Sequence, residues 1–179
     1  MTVSLVVTVI GPDRPGLVSL LSDRGKAFGA SWAESRMASL AGQFAGIVHF
    51  AVPAENAEAL AAALRELSVT GLNVVIAQSK GAPEPPSARL LKLELVGQDR
   101  PGIVRDISTV LAQSGVSIRE LHTELVSAAW SAEVLFQVNA LLLVPEAVAT
   151  DDLRHTLETL ANELMVDITL DDSVTCLPA

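Results

Sequence analysis

The sequence predicts an α+β protein made of two copies of one small domain. Each copy is a four-stranded antiparallel sheet in βαββαβ order, with its helices on one face. Three observations carry this reading. The stretch Gly11-Pro12-Asp13-Arg14-Pro15-Gly16-Leu17-Val18 returns as Gly97-Gln98-Asp99-Arg100-Pro101-Gly102-Ile103-Val104. The register persists downstream: Ser22 matches Ser108, Gly29 matches Gly115, Ser31 matches Ser117 and Glu34 matches Glu120. Both stretches sit between an apolar, strand-like run and an amphipathic, helix-like run, and such repeats mark duplicated structural units. A chain of 179 residues has room for two domains of roughly 80 to 90 residues each. We place them at residues 1–80 and 89–172, with a linker at 81–88 and a tail at 173–179.

The elements follow in order. Val3 to Ile10 is rich in β-branched residues and bounded by Gly11-Pro12, so it reads as a buried strand. Val3, Leu5, Val7 and Val9 make its uniform apolar side, which should meet the helices. Ser4, Val6 and Thr8 make the mixed side. Pro15 suits the first turn of a helix, where its missing N–H would be unpaired anyway. Leu17, Val18, Leu21 and Phe28 share a stripe on that helix, which should stop near Gly29. Ser31 to Leu40 and Phe44 to Val52 read as two strands joined by the hairpin connection Ala41-Gly42-Gln43. Ala54 to Leu67 is an Ala-rich helix with Leu60, Leu64 and Leu67 at helical spacing and acidic Glu55 and Glu58 near its start, where the macrodipole favours them. Gly71 ends it, and Leu72 to Ala77 is the last strand. The resulting order is the ferredoxin-like split βαβ pattern.

Three prolines within Gly81 to Ala88 predict an extended, semi-rigid linker. The second copy then repeats the pattern. It has strands Leu90 to Val96, Val116 to Val126, Trp130 to Leu143 and Val166 to Leu170, and helices from Pro101 to about Ser114 and from about Pro145 to Leu164. Ile103, Val104, Ile107, Val110 and Leu111 fall on one helical face. Lys92 and Glu94 charge one face of its first strand. One helical layer covers one face of a four-stranded sheet, so the other face and the edge strands need polar surface or a partner. Pairing of the two domains, or a homodimer, would supply it.

Composition narrows the function. Hydrophobic residues make up 50% of the chain and aromatic residues 3%, which requires an aliphatic core and argues against base-stacking platforms. A net charge of −9 argues against direct contact with nucleic acid, because a phosphate backbone rewards clustered Lys and Arg. Any gene regulation should therefore act through another protein. The single cysteine, Cys176, has no partner in the chain for a disulfide or metal site. Neither a signal-like segment nor an apolar run of about 20 residues is present, so a cytoplasmic, membrane-free location is expected.

The duplicated loop holds the candidate site. A strand followed by Gly-x-Asp-Arg-Pro-Gly and a helix leaves the first helical N–H groups, those of Gly16 to Val18 and Gly102 to Val104, without a partner in the helix, and such a terminus attracts anions. The second glycine has no Cβ, so a ligand can approach the backbone. Asp13 and Asp99 can cap the helix or bind an ammonium, and Arg14 and Arg100 can hold a carboxylate or face solvent. An α-amino acid carries one carboxylate and one ammonium. The candidate ligand-binding residues are therefore Gly11, Asp13, Arg14, Gly16, Leu17 and Ser31, with Gly97, Asp99, Arg100, Gly102, Ile103 and Ser117 in the second copy. The alternative is that Asp-Arg-Pro-Gly is only a well-capped turn.

These residues resemble the ACT domain, a small regulatory module of βαββαβ fold that commonly binds amino acids, and the resemblance covers both copies. Two such domains with nothing else are similar to the glycine cleavage system transcriptional repressor family. That likeness implies an amino-acid effector such as glycine and action on a transcriptional activator or other protein rather than on DNA. Many ACT domains carry Asn after the glycine that opens the second strand and use it at the ligand site. This chain has Ser31 and Ser117 after Gly29-Ala30 and Gly115-Val116, each with one hydroxyl in place of an amide.

Other residue types point elsewhere only weakly. His49, His122 and His155 lack metal-ligand spacing, although His122 and Glu124 fall on one strand face. Trp32 and Trp130 read as packing residues at sheet edges or interfaces. Asp151-Asp152 and Asp171-Asp172 read as a helix start and a solvated tail. No nucleophile triad, phosphate-binding Gly-Lys motif or Cys-x-x-Cys pair occurs, so neither catalysis nor a cofactor or metal is expected. A ferredoxin-like enzyme such as an acylphosphatase would need Arg and Asn beside a Gly-rich phosphate loop, and Arg14 and Arg100 come without one. The remaining rival is a plain protein-interaction module.

Overall fold

The computed structural model describes residues 1–79, 87–127 and 134–172, in two compact units, Met1–Pro83 and Glu84–Ala179. The first contains β1 (Thr2–Pro12), α1 (Leu17–Ala27), β2 (Ser31–Leu40), β3 (Gln43–Pro53), α2 (Ala57–Arg65) and β4 (Asn73–Ser79), with 3-10 turns on either side of α2. Its sheet order is β2-β3-β1-β4, antiparallel throughout. The second contains β5 (Ala88–Gln98), α3 (Ile103–Gln113), β6 (Ser117–Ser127), β7 (Val134–Pro145), α4 (Thr150–Leu164) and β8 (Val166–Asp171). Its order, β6-β7-β5-β8, is the same pattern. Both units are thus βαββαβ, as the sequence predicts.

Alternation in the strands decides which face is buried. Leu5, Val7 and Val9 of β1 and Val48, Phe50 and Val52 of β3 pack against Leu17 and Leu21 of α1 and Leu60 and Leu64 of α2. Leu91, Leu93 and Leu95 of β5 meet Ile103, Ile107 and Leu111 of α3 and the Leu153, Leu157, Leu160, Leu164 stripe of α4. Each fully buried leucine is worth about 1.5–3 kcal/mol. Among the described residues none that is polar or charged is buried, so these cores are held by aliphatic packing. Val18 and Val104 lie outside the predicted stripes, at 48% and 39% exposure, because each follows the buried first residue of its helix by one position, about 100° around the axis. Gly25 completes the α1 stripe instead, and a Cβ there would lie 2.6 Å from the Phe50 ring.

Three boundaries differ from expectation. Pro15 and Pro101 stand in the turn before their helices rather than in the first helical turn, since the following glycines adopt positive φ and cannot be helical. The fourth helix begins at Thr150 rather than near Pro145, because β7 continues to Pro145, paired with Ala88. The β2–β3 hairpin turns on two residues, Ala41 (φ 50°) and Gly42 (φ 77°), the paired left-handed geometry favoured by strand twist. Of the predicted linker only Ser87 and Ala88 are described: the Ser87 carbonyl accepts from the Glu146 amide, and Ala88 opens β5. Trp130, Cys176 and the tail lie outside the described residues.

Candidate functional site

In each unit the loop between the first strand and the first helix has the same backbone. Gly16 (φ 92°, ψ 0°) and Gly102 (φ 104°, ψ −12°) occupy the N-cap positions in the left-handed region, and neither helix start receives a side-chain cap. The first intrahelical bonds run from Leu20 to the Gly16 carbonyl and from Asp106 to the Gly102 carbonyl, both 2.9 Å. The amides that precede Leu20 and Asp106 in each helix therefore have no acceptor within it. Capping by Asp13 and Asp99 is not observed: a glycine holds the cap position, and each Asp stands three residues before it. Both Asp side chains are exposed and have no partner among the described residues. They remain available to a cation.

The four glycines of the motif divide by role. Gly11 is buried, and a Cβ there would lie 2.6 Å from the Gly71 carbonyl oxygen. A Cβ at Gly97 would lie 2.3 Å from Val166 Cγ1. Close packing of the first strand on the start of the last accounts for both. Gly16 has nothing within 4 Å of its Cβ position, and Gly102 only Asp106 Oδ2 at 3.8 Å. These two glycines supply positive φ and leave open space in front of the backbone. Leu17 and Ile103 bury their side chains in the cores, so only their amides face the loop.

The arginines differ between copies. Arg14 Nη2 donates to the Thr70 carbonyl at 2.9 Å, and the Asp13 amide donates to the Gly42 carbonyl at 2.9 Å, which fastens the first loop to the end of its sheet. Arg100 is half-buried and has no hydrogen bond or ion pair among the described residues. The first turn of α3 contains Asp106, whereas that of α1 has no acidic residue.

Ser31 and Ser117 do not join their own loops. Ser31 pairs with Ala51 at one end of β3, while Gly11 pairs with Phe44. Those β3 residues are seven positions apart, about 24 Å at 3.4 Å per residue. Ser117 and Gly97 are separated in the same way, through Leu143 and Phe136. The intervening helix puts loop and serine at opposite ends of each unit.

The paired bulges, the groove of the second unit and the setting of His49 escaped the sequence reading, whereas the placements of Trp32, of His122 with Glu124 and of Lys92 with Glu94 follow it. Bulges occur at matching places, between Trp32 and Glu34 and between Ile118 and Glu120. An apolar groove lies between α3 and β6, floored by Ile107 and Leu111 and rimmed by Val104 and Leu121. His49 projects from the sheet face away from the helices with its Nε2 buried and unpartnered. Trp32 packs edge-on to Phe50, with ring centroids 5.3 Å apart, on edge strand β2. His122 Nε2 and Glu124 Oε1 lie 4.0 Å apart on one face of β6. Lys92 and Glu94 form an ion pair on β5, and the hydrogen bond to Glu94, reinforced by its charge, raises the Lys92 pKa above the ordinary value. Among the described residues no cluster of His, Cys, Asp and Glu could hold a metal, and no helix is long and apolar enough to cross a membrane.

Comparison with known proteins gives the geometry a context. The sequence pattern of the ACT domain family matches residues 4–75 and 89–171. The crystal structure of an unknown protein from Galdieria sulphuraria shares 32% identity with a TM-score of 0.86, covering 97% of this chain and all of that one. A candidate glycine cleavage system transcriptional repressor has the same fold at 19% identity and a TM-score of 0.69, covering 96% of this chain and 97% of its own. No curated protein matches the chain significantly.

Proposed function

The chain belongs to the ACT domain family of regulatory modules, and from that premise we propose that it is an amino-acid-responsive regulator without catalytic activity of its own. The observation that carries the proposal is the repeated loop, with its left-handed glycine, uncapped helix start and exposed, unpartnered aspartate in both units. In this reading the amides at Leu17 and Val18, or Ile103 and Val104, take an α-carboxylate, and Asp13 or Asp99 takes the ammonium. Arg100 has donors free for the same carboxylate.

We propose glycine, or an amino acid of similar size, as the effector, and control of glycine cleavage gene expression as the output. Support comes from the likeness to the candidate repressor and from the motif itself. A net charge of −9 favours action through a protein partner such as a transcriptional activator over contact with DNA. The working unit in this reading is a homodimer. At a ceiling of about 1.5 kcal/mol per heavy atom, glycine gains at most about 7–8 kcal/mol, a dissociation constant near micromolar. That range suits a sensor of metabolite pools. The effector regulates only by preferring one arrangement of domains or subunits over another.

Titration calorimetry of the full chain with glycine, serine and other amino acids tests the reading. Binding in the micromolar to millimolar range is expected, weakened about tenfold or more by Asp99→Ala or Asp13→Ala with an unchanged melting temperature. Silence towards every amino acid at millimolar concentration leaves a plain interaction module. Hydrolysis of acyl phosphate by the pure protein would revive the enzyme alternative.

A further inference from the structure

The net charge of −9 is not shared between the two units. Met1–Pro83 holds six acidic and six basic residues, whereas Glu84–Ala179 holds fifteen acidic and six basic, so the second unit carries the whole excess. Part of that excess lies on the sheet face turned away from α3 and α4. The strand register aligns Glu120 with Lys92 and Asp171 in one row across this face, His122 with Glu94 in the next, and Glu124 with Asp167 in the third. None of these residues is buried. At about 4.8 Å between strands and 6.8 Å between alternate residues, the rows cover about 14 by 14 Å. Five carboxylates thus share the face with one lysine, and that lysine is paired with Glu94. The fold does not call for this. In the first unit the positions of the five carboxylates are held by Glu34, Ala38, Thr8, Asn73 and Ala77, and Glu34 is paired with Arg36. Like charges on one sheet face repel, so the second unit carries a negative face that its own folding disfavours.

We propose that this face of the second unit docks a protein partner through a basic surface, a patch or segment rich in Lys and Arg. The proposal rests on the reading that the chain acts through another protein, and it names the chemistry of that contact. Complementary charge selects the occupant. A nucleic acid or an anionic membrane brings further negative charge and is repelled. A metal ion does not fit, since among the described residues no cluster could hold one and Glu124 and Asp167 stand on opposite edge strands. A second copy of the chain would bring either the same negative face or a first unit with no basic excess. A protein with clustered cations satisfies the carboxylates, and each Arg can engage one of them through two parallel hydrogen bonds. Asn139 and Gln137, between the edge strands on the same face, add neutral donors and acceptors. With a Debye length of about 10 Å at 0.1 M salt, carboxylates within this area act as a group and steer the partner's approach. Proteins that contact DNA carry such basic surfaces, so an activator of the kind proposed above presents one.

Amide NMR of the isotope-labelled full chain, titrated with a synthetic peptide of alternating Arg and Ser about eight residues long, tests the proposal. The amides that shift should cluster on β5, β6, β7 and β8, and binding should weaken about tenfold or more between about 50 mM and 200 mM salt. Glu124→Gln combined with Asp167→Asn should weaken the peptide about tenfold at the lower salt. That variant should melt no lower than wild type, because it relieves repulsion. Asp151→Asn combined with Glu158→Gln removes the same charge from exposed positions of α4, on the helix side of the sheet, and should change the affinity less than about twofold. Equal weakening by the two pairs would show attraction to net charge alone and would overturn the docking face. Shifts confined to the helices or to the first unit would do the same, as would absence of binding at the lower salt. None of these results touches the loops, which calorimetry with amino acids reads separately, so the effector reading stands or falls on its own.

Discussion

Replacing Gly11, Gly16 or Gly97 by alanine separates the structural half of the repeated motif from the open half. At Gly11 the added Cβ would sit 2.6 Å from the Gly71 carbonyl oxygen and 3.0 Å from Leu72 Cδ2. Ordinary carbon-to-oxygen contacts begin near 3.3 Å, so about 0.7 Å must be found. The obstructing atom is backbone and no rotamer change can move it; β1 and the start of β4 must part. Overpacking of this kind costs about 1–3 kcal/mol and the loss of a ladder hydrogen bond about 1 more, for a total of about 2–4 kcal/mol. Gly16→Ala meets nothing within 4 Å; it pays only for a left-handed alanine, about 1–2 kcal/mol, offset in part by the stiffer unfolded chain. At Gly97 the closest clash is with Val166 Cγ1 at 2.3 Å, and Val166 Cβ follows at 2.9 Å; Val166→Ala in the same molecule removes the first and keeps the second, so it should recover part of the loss, about 1 kcal/mol, as coupled neighbours do. No side-chain change should rescue Gly11→Ala in this way. Urea denaturation followed by circular dichroism measures all of these. If Gly11→Ala costs no more than Gly16→Ala, the division of the motif into packing and open glycines is wrong.

Two other expectations come from the cores and the open sheet face. Gly25→Ala should destabilise the first unit by about 1–2 kcal/mol, lowering its melting temperature, even though alanine is the better helix former by about 1 kcal/mol. The reason is that its Cβ meets the Phe50 ring at 2.6 Å, and Trp32 already holds that ring edge-on; a rise in melting temperature would show that the ring yields. Lys92 should make stability depend on alkaline pH. Its folded pKa is raised above 10.5, chiefly by the hydrogen bond to Glu94 and then by that residue's charge. The contribution is complete below the ordinary value and is lost as pH rises through the raised folded one. Lys92→Met should therefore flatten the stability profile above pH 10.5 while leaving it nearly unchanged at neutrality, because both partners are about half exposed.

The fold was legible because its signals are periodic and local. Leu5, Val7 and Val9 alternate, Leu60, Leu64 and Leu67 recur by turns, and Gly29 and Gly115 stop their helices as expected. The amide of Ala30 bonds to the Gly25 carbonyl, and that of Val116 to the Leu111 carbonyl, the 6→1 bond of a glycine-terminated helix. The site was less legible because its parts depend on atoms far away in sequence. Nothing near Gly11 announces Gly71, nothing near Arg14 announces Thr70, and the length of α1 decides that Ser31 ends up about 24 Å from the loop that precedes it. Asp106 shows the same limit in the second copy. The repeat places it opposite Leu20, a difference that looks minor in the sequence, yet it puts a carboxylate in the first turn of α3 while α1 has none. A carboxylate there satisfies the positive end of the helix and repels a second anion. Arg100, uncommitted where Arg14 is tied to Thr70, pulls in the other direction. Two loops with one backbone thus present two different electrostatic surfaces to a zwitterion, and equal affinity at both does not follow from the identity of the motif.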